Sequence, residues 1–139
     1  DSKNRLFNCT IATNTTGIGG SSGASGGITN CIISGNRLDL DANAIAFPVY
    51  GYSCATALVH GVNGNITNNP RFVSAAGRDF RLNRGSPCFD AGFIGVTNLY
   101  RMDFLGQAHV DYDFNTIAEP DMGCYEGLPP PRGTIVVVN

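Results

Sequence analysis

The sequence predicts an all-β chain wound as stacked coils, a β-solenoid of about three short rungs closed by an irregular cap. Three observations predict it. The segment NCTIATN at residues 8–14 returns as NCIISGN at residues 30–36, a spacing of 22 residues. The composition holds 18 glycines and only 14% charged residues, against about 25% in ordinary domains. That mix is poor in helix formers and suits strands joined by tight turns. Beyond residue 60 the repeat fades, and turn motifs rich in Gly, Pro and Asp replace it.

The period excludes the other repeat architectures. Helical repeats need about 33 residues or more per unit, and a leucine-rich repeat needs a Leu-x-x-Leu-x-Leu skeleton, which this chain lacks. A coil of two or three short strands remains.

Residues 1–60 carry the rungs. The repeat aligns Asn8 with Asn30, Cys9 with Cys31, Ile11 with Ile33 and Asn14 with Asn36. YGYSCAT at residues 50–56 extends it as a weaker third copy, with Ser53 beside Asn30 and Cys54 beside Cys31. Equivalent residues on successive coils stack at the strand spacing of ~4.8 Å. Cys9, Cys31 and Cys54 are therefore expected as one inward column of small apolar side chains. Ile11 and Ile33 lie two positions along and share that face. Asn8 and Asn30 suit a corner, because Asn tolerates left-handed backbone. Between the first two copies lies TTGIGGSSGASGG, residues 15–27. It matches neither phosphate-loop pattern and opens no helix, so it reads as an excursion from the coil.

Residues 61–127 read as a terminal rung and capping region. GNITNNPRFV carries an Asn-Pro turn signal and then a short apolar strand. RDFRLNRGSPCFDAG alternates Phe80 and Leu82 with Arg81 and Asn83, a half-buried strand. The last coil of a solenoid exposes strand edges and an apolar interior, and needs a cover. Asp90, Asp121 and Glu126 are the expected cap residues; the two aspartates each stand within two residues of a glycine. Residues 128–139 form a proline spacer and a tail. There Thr134, Ile135, Val136, Val137 and Val138 make an uncharged, strongly β-forming strand that aggregates unless paired.

The closing motifs carry a family resemblance. N-I-x-x-N-P-x-F, then D-F-R-L-x-x-G-S-P-C-x-D-A-G, then D-x-x-G, then D-M-G-C-Y-E run in that order from Asn65 to Glu126. With the N-C-x-I-x-x-N rungs, residues 6–126 resemble the C-terminal end of secreted bacterial right-handed parallel β-helix repeat proteins, the pectate-lyase-like superfold. The resemblance implies a right-handed parallel β-helix in an extracellular, cell-surface setting. It also implies many more rungs than are present here. In that oxidising setting Cys88 and Cys124 are candidates for a disulfide, which would add roughly 3–5 kcal/mol by closing a long loop.

Composition limits the function. A net charge of −2 gives no nucleic-acid footprint. No apolar run approaches the ~18 residues of a membrane span. The opening DSKNRLFNC has no initiator Met and reads as a mature or excised piece. The five cysteines form no zinc-like spacing, and His60 and His109 stand alone. No cofactor is expected, apart from a structural calcium at Asp111, Asp113 and Asn115 in DYDFN. That segment lacks the EF-hand glycine and the closing glutamate, where Met122 stands, so an Asx-rich turn is the simpler reading. Among sequons, Asn14 and Asn65 in turns are the glycosylation candidates, and Asn8 is committed to the ladder.

An enzyme reading starts from Asp79, Asp90, Asp103, Asp111, Asp113, Glu119, Asp121 and Glu126. A polysaccharide lyase or hydrolase needs such carboxylates clustered at a fixed separation, with a base on the same coil face. Residues 6–36 contain no charged residue at all, and Arg71, Arg81 and Arg84 fall in the cap half. A glycan-binding reading rests on Tyr50, Tyr52, Tyr100 and Tyr112 as stacking platforms. The favoured reading is a non-enzymatic structural or adhesive module of an extracellular cell-surface protein. A preceding β-helix segment or another copy of the chain covers its open first rung. The tail strand is donated head to tail into a filament, as between pilin subunits.

Overall fold

The computed structural model describes residues 4–20, 26–45, 50–96, 103–106 and 119–126. In chain order the first elements are β1 (Asn4–Phe7), β2 (Thr10–Ile11), β3 (Thr16–Ile18), β4 (Gly26–Thr29), β5 (Ile32–Ile33) and β6 (Leu38–Leu40). One helical turn, α1 (Ala42–Ile45), precedes β7 (Tyr50–Gly51), and β8 (Phe72–Ser74) and β9 (Asp79–Leu82) follow. The all-β character and the parallel pairing predicted from the repeat are both present. β1, β4 and β7 form one parallel sheet in that order, β2 pairs with β5, and β3 pairs with β6.

The register is the same in all three sheets. Asn4 faces Gly26, Thr10 faces Ile32, Thr16 faces Leu38 and Ile28 faces Tyr50. Each step is the 22-residue period of the repeat. Single bridges from Ile32 to Cys54 and from Cys54 to Ile66 carry the β2–β5 sheet two steps further. The last of these steps is shortened to 12 residues.

Corners repeat with the strands. Asn8, Asn30, Tyr52 and Gly64 have φ of 49°, 55°, 49° and 74°, so one left-handed position recurs at each step of the strand register. Thr13 and Gly35 repeat a second corner at 60° and 74°. Left-handed backbone is easy for Gly and tolerable for Asn. Glycine at position 64 has a second cause, since a Cβ there would lie 2.7 Å from the Tyr52 ring.

Strand alternation then sorts the side chains into two clusters on opposite faces of the β2–β5 sheet. Cys9, Ile11, Cys31, Ile33 and Ala55 pack with Ile18, Ile28, Leu40, Ala44 and Tyr50. Ile32 and Cys54 pack on the other side with Ile66, Phe72, Leu82, Cys88 and Met122. Burial of one such isoleucine contributes about 1.5–3 kcal/mol. The Tyr50 hydroxyl donates to the Ala44 carbonyl at 2.8 Å. Burial pushes the phenol up to about 12, so it stays protonated and keeps that bond. β8 and β9 form an antiparallel pair, with Leu82 buried and Arg81 exposed. The sequence pattern did not announce α1. Asp41 makes it, accepting from the amides of Ala44 (2.7 Å) and Gly20 (3.1 Å), which hold its carboxyl below the usual range.

Candidate functional site

The residues singled out by the repeat meet along the column beside the first corner. Cys9, Cys31 and Ser53 occupy equivalent positions, each following the left-handed residue. Each donates to the carbonyl two residues back: Cys9 to Phe7 at 3.1 Å, Cys31 to Thr29 at 3.3 Å and Ser53 to Gly51 at 3.0 Å. The third member of the expected thiol column is thus Ser53, and Cys54 lies one position out of it. The sequence match between the second and third copies is offset by one residue, but the strand register is not. A one-residue offset moves a side chain to the opposite face. Cys54 accordingly joins the second cluster.

Asn65 ends the column. Its Oδ1 accepts from the Ser53 amide at 3.0 Å, and its Nδ2 donates to the Tyr50 carbonyl at 2.9 Å. The residue is 5% exposed. Its amide is therefore engaged and enclosed, and the expected glycosylation site at Asn65 is corrected to a structural one. Asn14 is exposed, with Nδ2 donating to Asn36 Oδ1 at 3.2 Å.

The structure holds all five cysteines in the reduced, unbridged form. Cys88, one partner of the expected Cys88–Cys124 bridge, shares a cluster with Cys54 and bonds its sulfur. Cys124 instead donates its amide to Thr10 Oγ1 at 3.1 Å. Cys9 and Cys31 are neighbours in the column, and the single S–H of Cys31 bonds the Thr29 carbonyl or, once Cys9 is ionised, the Cys9 thiolate. The bond from Cys31 lowers the half-buried Cys9 thiol from 9.0 to about 7 and pushes Cys31 up. Cys9 is therefore the thiol expected to alkylate first at neutral pH. A short iodoacetamide pulse followed by peptide mapping reads this directly. In Cys31→Ala the midpoint of Cys9 labelling shifts up toward 9.0; an unmoved midpoint would discard the hydrogen bond as the cause.

The C-terminal half is fastened to the first corner column by Asn30, which is fully buried. Asn30 Oδ1 accepts from the Phe93 amide at 2.7 Å, and Nδ2 donates to the Phe93 carbonyl at 3.2 Å. The Asn30 carbonyl accepts from Gly123 at 2.7 Å. One residue thus grips two distant segments. Asn8 has the same corner conformation one repeat earlier, yet both polar atoms of its side-chain amide are buried with no hydrogen-bond partner among the described residues. The structure also gathers Asp90, Asp121 and Glu126. The Asp90 amide donates to Asp121 Oδ1 at 2.8 Å, and the Asp121 amide donates to the Glu126 carboxylate at 3.3 Å. The Glu126 amide donates to Asp103 Oδ2 at 3.0 Å. The carboxylates of Asp121, Glu126 and Asp103 thus accept from backbone N–H groups, which is capping chemistry, and Asp90 joins the set through its amide.

The edge of β1 away from β4 faces no strand among the described residues. Leu6 on it is exposed. Arg81 Nε donates to Asp79 Oδ1 at 2.8 Å and holds that carboxyl low, and Arg71 Nη1 donates to the Gly85 carbonyl at 2.9 Å. Among the described residues no group of three or more His, Cys, Asp or Glu is placed to hold a metal ion. Asp111, Asp113, Asn115, Tyr100, Tyr112 and the tail strand Thr134, Ile135, Val136, Val137 and Val138 lie outside the described residues. No helix among the described residues is long and apolar enough to cross a membrane. Sequence reasoning missed Ser53, Asn65 and the grip of Asn30 on Phe93. Only the richness in Asn pointed toward such contacts. No protein-family model, curated protein or solved structure matches the chain.

Proposed function

We propose that the chain is a non-enzymatic structural or adhesive module of an extracellular cell-surface protein. In this reading the three parallel sheets are the faces of a right-handed parallel β-helix, the hand that nearly all parallel crossovers take. The outer edge of β1 is then the place where a preceding coil, or the tail strand of another copy, adds in register. The observation that carries the reading is that edge: no strand among the described residues lies beyond β1, while the strands on its other side are locked at one offset. Edges of this kind pair with another chain unless something blunts them. A head-to-tail addition that does not close on itself builds a filament. The calcium-dependent cleavage of uronic-acid polymers is expected to be absent, and a turnover assay checks it.

The direct test is deletion of residues 133–139, with native mass measured by light scattering before and after. The full chain is expected to show species above the monomer mass, and the deletion to return it to monomer. A monodisperse monomer in both cases would end the filament reading.

A further inference from the structure

We propose that Cys54 and Cys88 are a disulfide-forming pair, the covalent fastening between the parallel stack and the segment that covers it. Both residues are buried, at 1% and 0% exposure, in one cluster with Ile32, Leu82 and Met122. They arrive from different parts of the fold. The Cys54 amide donates to the Cys31 carbonyl at 2.8 Å, and Cys54 bridges to Ile66, so it belongs to the stack. The Cys88 amide donates to Ser86 Oγ at 3.0 Å, and its carbonyl accepts from Met122 at 3.0 Å, so it belongs to the cover. The hydrogen bonds that Ser86 sends to the Pro70 carbonyl and Met122 sends to Cys88 hold the second sulfur in place.

The other thiols are worse placed. Cys9 and Cys31 are register partners on adjacent parallel strands, where side chains stand roughly 4.8 Å apart. A disulfide draws its two Cβ atoms to about 3.8 Å. Cys124 packs by Thr10. The two partners of the proposed bond also differ in acidity. Where the two sulfurs meet, the hydrogen bond from Cys88 lowers Cys54 and raises Cys88, so Cys54 is the more readily ionised of the pair.

The step is thiol–disulfide exchange with a small external disulfide such as oxidised glutathione. The Cys54 thiolate attacks one sulfur, forms a mixed disulfide and expels one glutathione thiolate. Cys88 loses its proton, attacks the Cys54 sulfur and expels the second. Two protein S–H bonds are replaced by one S–S bond. The two electrons reduce the external disulfide to two thiols, which take up the two protons. Because both sulfurs are enclosed in the finished fold, exchange occurs as the cover closes during folding.

The test uses the whole 139-residue chain. It is refolded in a glutathione redox buffer, alkylated without reductant, digested and mapped by mass spectrometry. The expected result is one linked peptide pair, Cys54 with Cys88, with Cys9, Cys31 and Cys124 alkylated. Thermal midpoint is a second readout: reductant lowers it in the wild type and leaves it unmoved in a Cys54→Ala, Cys88→Ala double variant. Alkylation of all five thiols, or a link mapped to another pair such as Cys88 with Cys124, would overturn the proposal.

Discussion

Replacing Asn30 with glycine destabilises the protein by about 2–4 kcal/mol, and the same replacement at Asn8 leaves it unchanged or more stable. Glycine is the informative choice because both residues hold left-handed backbone, at φ of 55° and 49°, which glycine adopts freely. At Asn30 the change removes two hydrogen bonds and strands the Phe93 amide and carbonyl against the corner. Each bond contributes about 0.5–1.5 kcal/mol net, and a buried group left unpaired costs about 1–3 kcal/mol. At Asn8 no bond is lost, because the buried amide has no partner. Removing it relieves a burial penalty of about 1–3 kcal/mol. The greater freedom of glycine in the unfolded chain offsets about 0.5–1 kcal/mol of that gain. Equilibrium urea unfolding of the two variants, compared at constant m-value, measures the difference. Equal losses at both positions would refute the account of the corner column.

Ile33→Ala is expected to cost about 2–5 kcal/mol, the range for emptying a closed apolar site. Ile33 is fully enclosed between the coils that carry Ile11 and Ala55, and its Cγ2 leaves no room for a Cβ on Gly17. Its repeat partner Ile11 is only half-buried, on the first coil. Ile11→Ala should therefore cost roughly half as much, in proportion to the apolar area lost. The contrast bears on function. If another coil or another copy adds to the β1 edge, Ile11 becomes an interior residue, and its truncation penalty rises toward that of Ile33. Thermal unfolding of both variants, in dilute protein and in any assembled form, measures this. An Ile11 penalty that is the same in both forms would argue against addition at that edge.

The repeat was legible because it is local chemistry. A left-handed corner at Asn, a small inward side chain next, an isoleucine two places on and another turn after it are demands that a short segment states in its own residues. Cys9 with Cys31 and Ile11 with Ile33 follow from two copies of such a segment at one spacing. The half-buried strand around Phe80 and Leu82 was legible for the same reason, since alternation needs only neighbours.

The third copy shows where that reading stops. Sequence similarity favoured Cys54 over Cys31, but the strands keep their offset and place Ser53 there instead. Serine fills the same role by the same bond to the carbonyl two residues back, a substitution that matching letters does not reveal. Asn65 was a turn residue by its neighbours and proved to be an enclosed clamp, because the coil that follows Ser53 is shortened.

What the sequence determined alone was the period, the strand-and-corner composition of each repeat, and the face that each residue of the first two copies would take. These depend on backbone preference and alternation, which act within a few residues. Only the tertiary structure decided which thiol meets which, and which of two identical Asn corners grips the covering segment. Those contacts join residues as far apart as Asn30 and Phe93. They are chosen by how the cover packs on the stack, and no short stretch of chain encodes that.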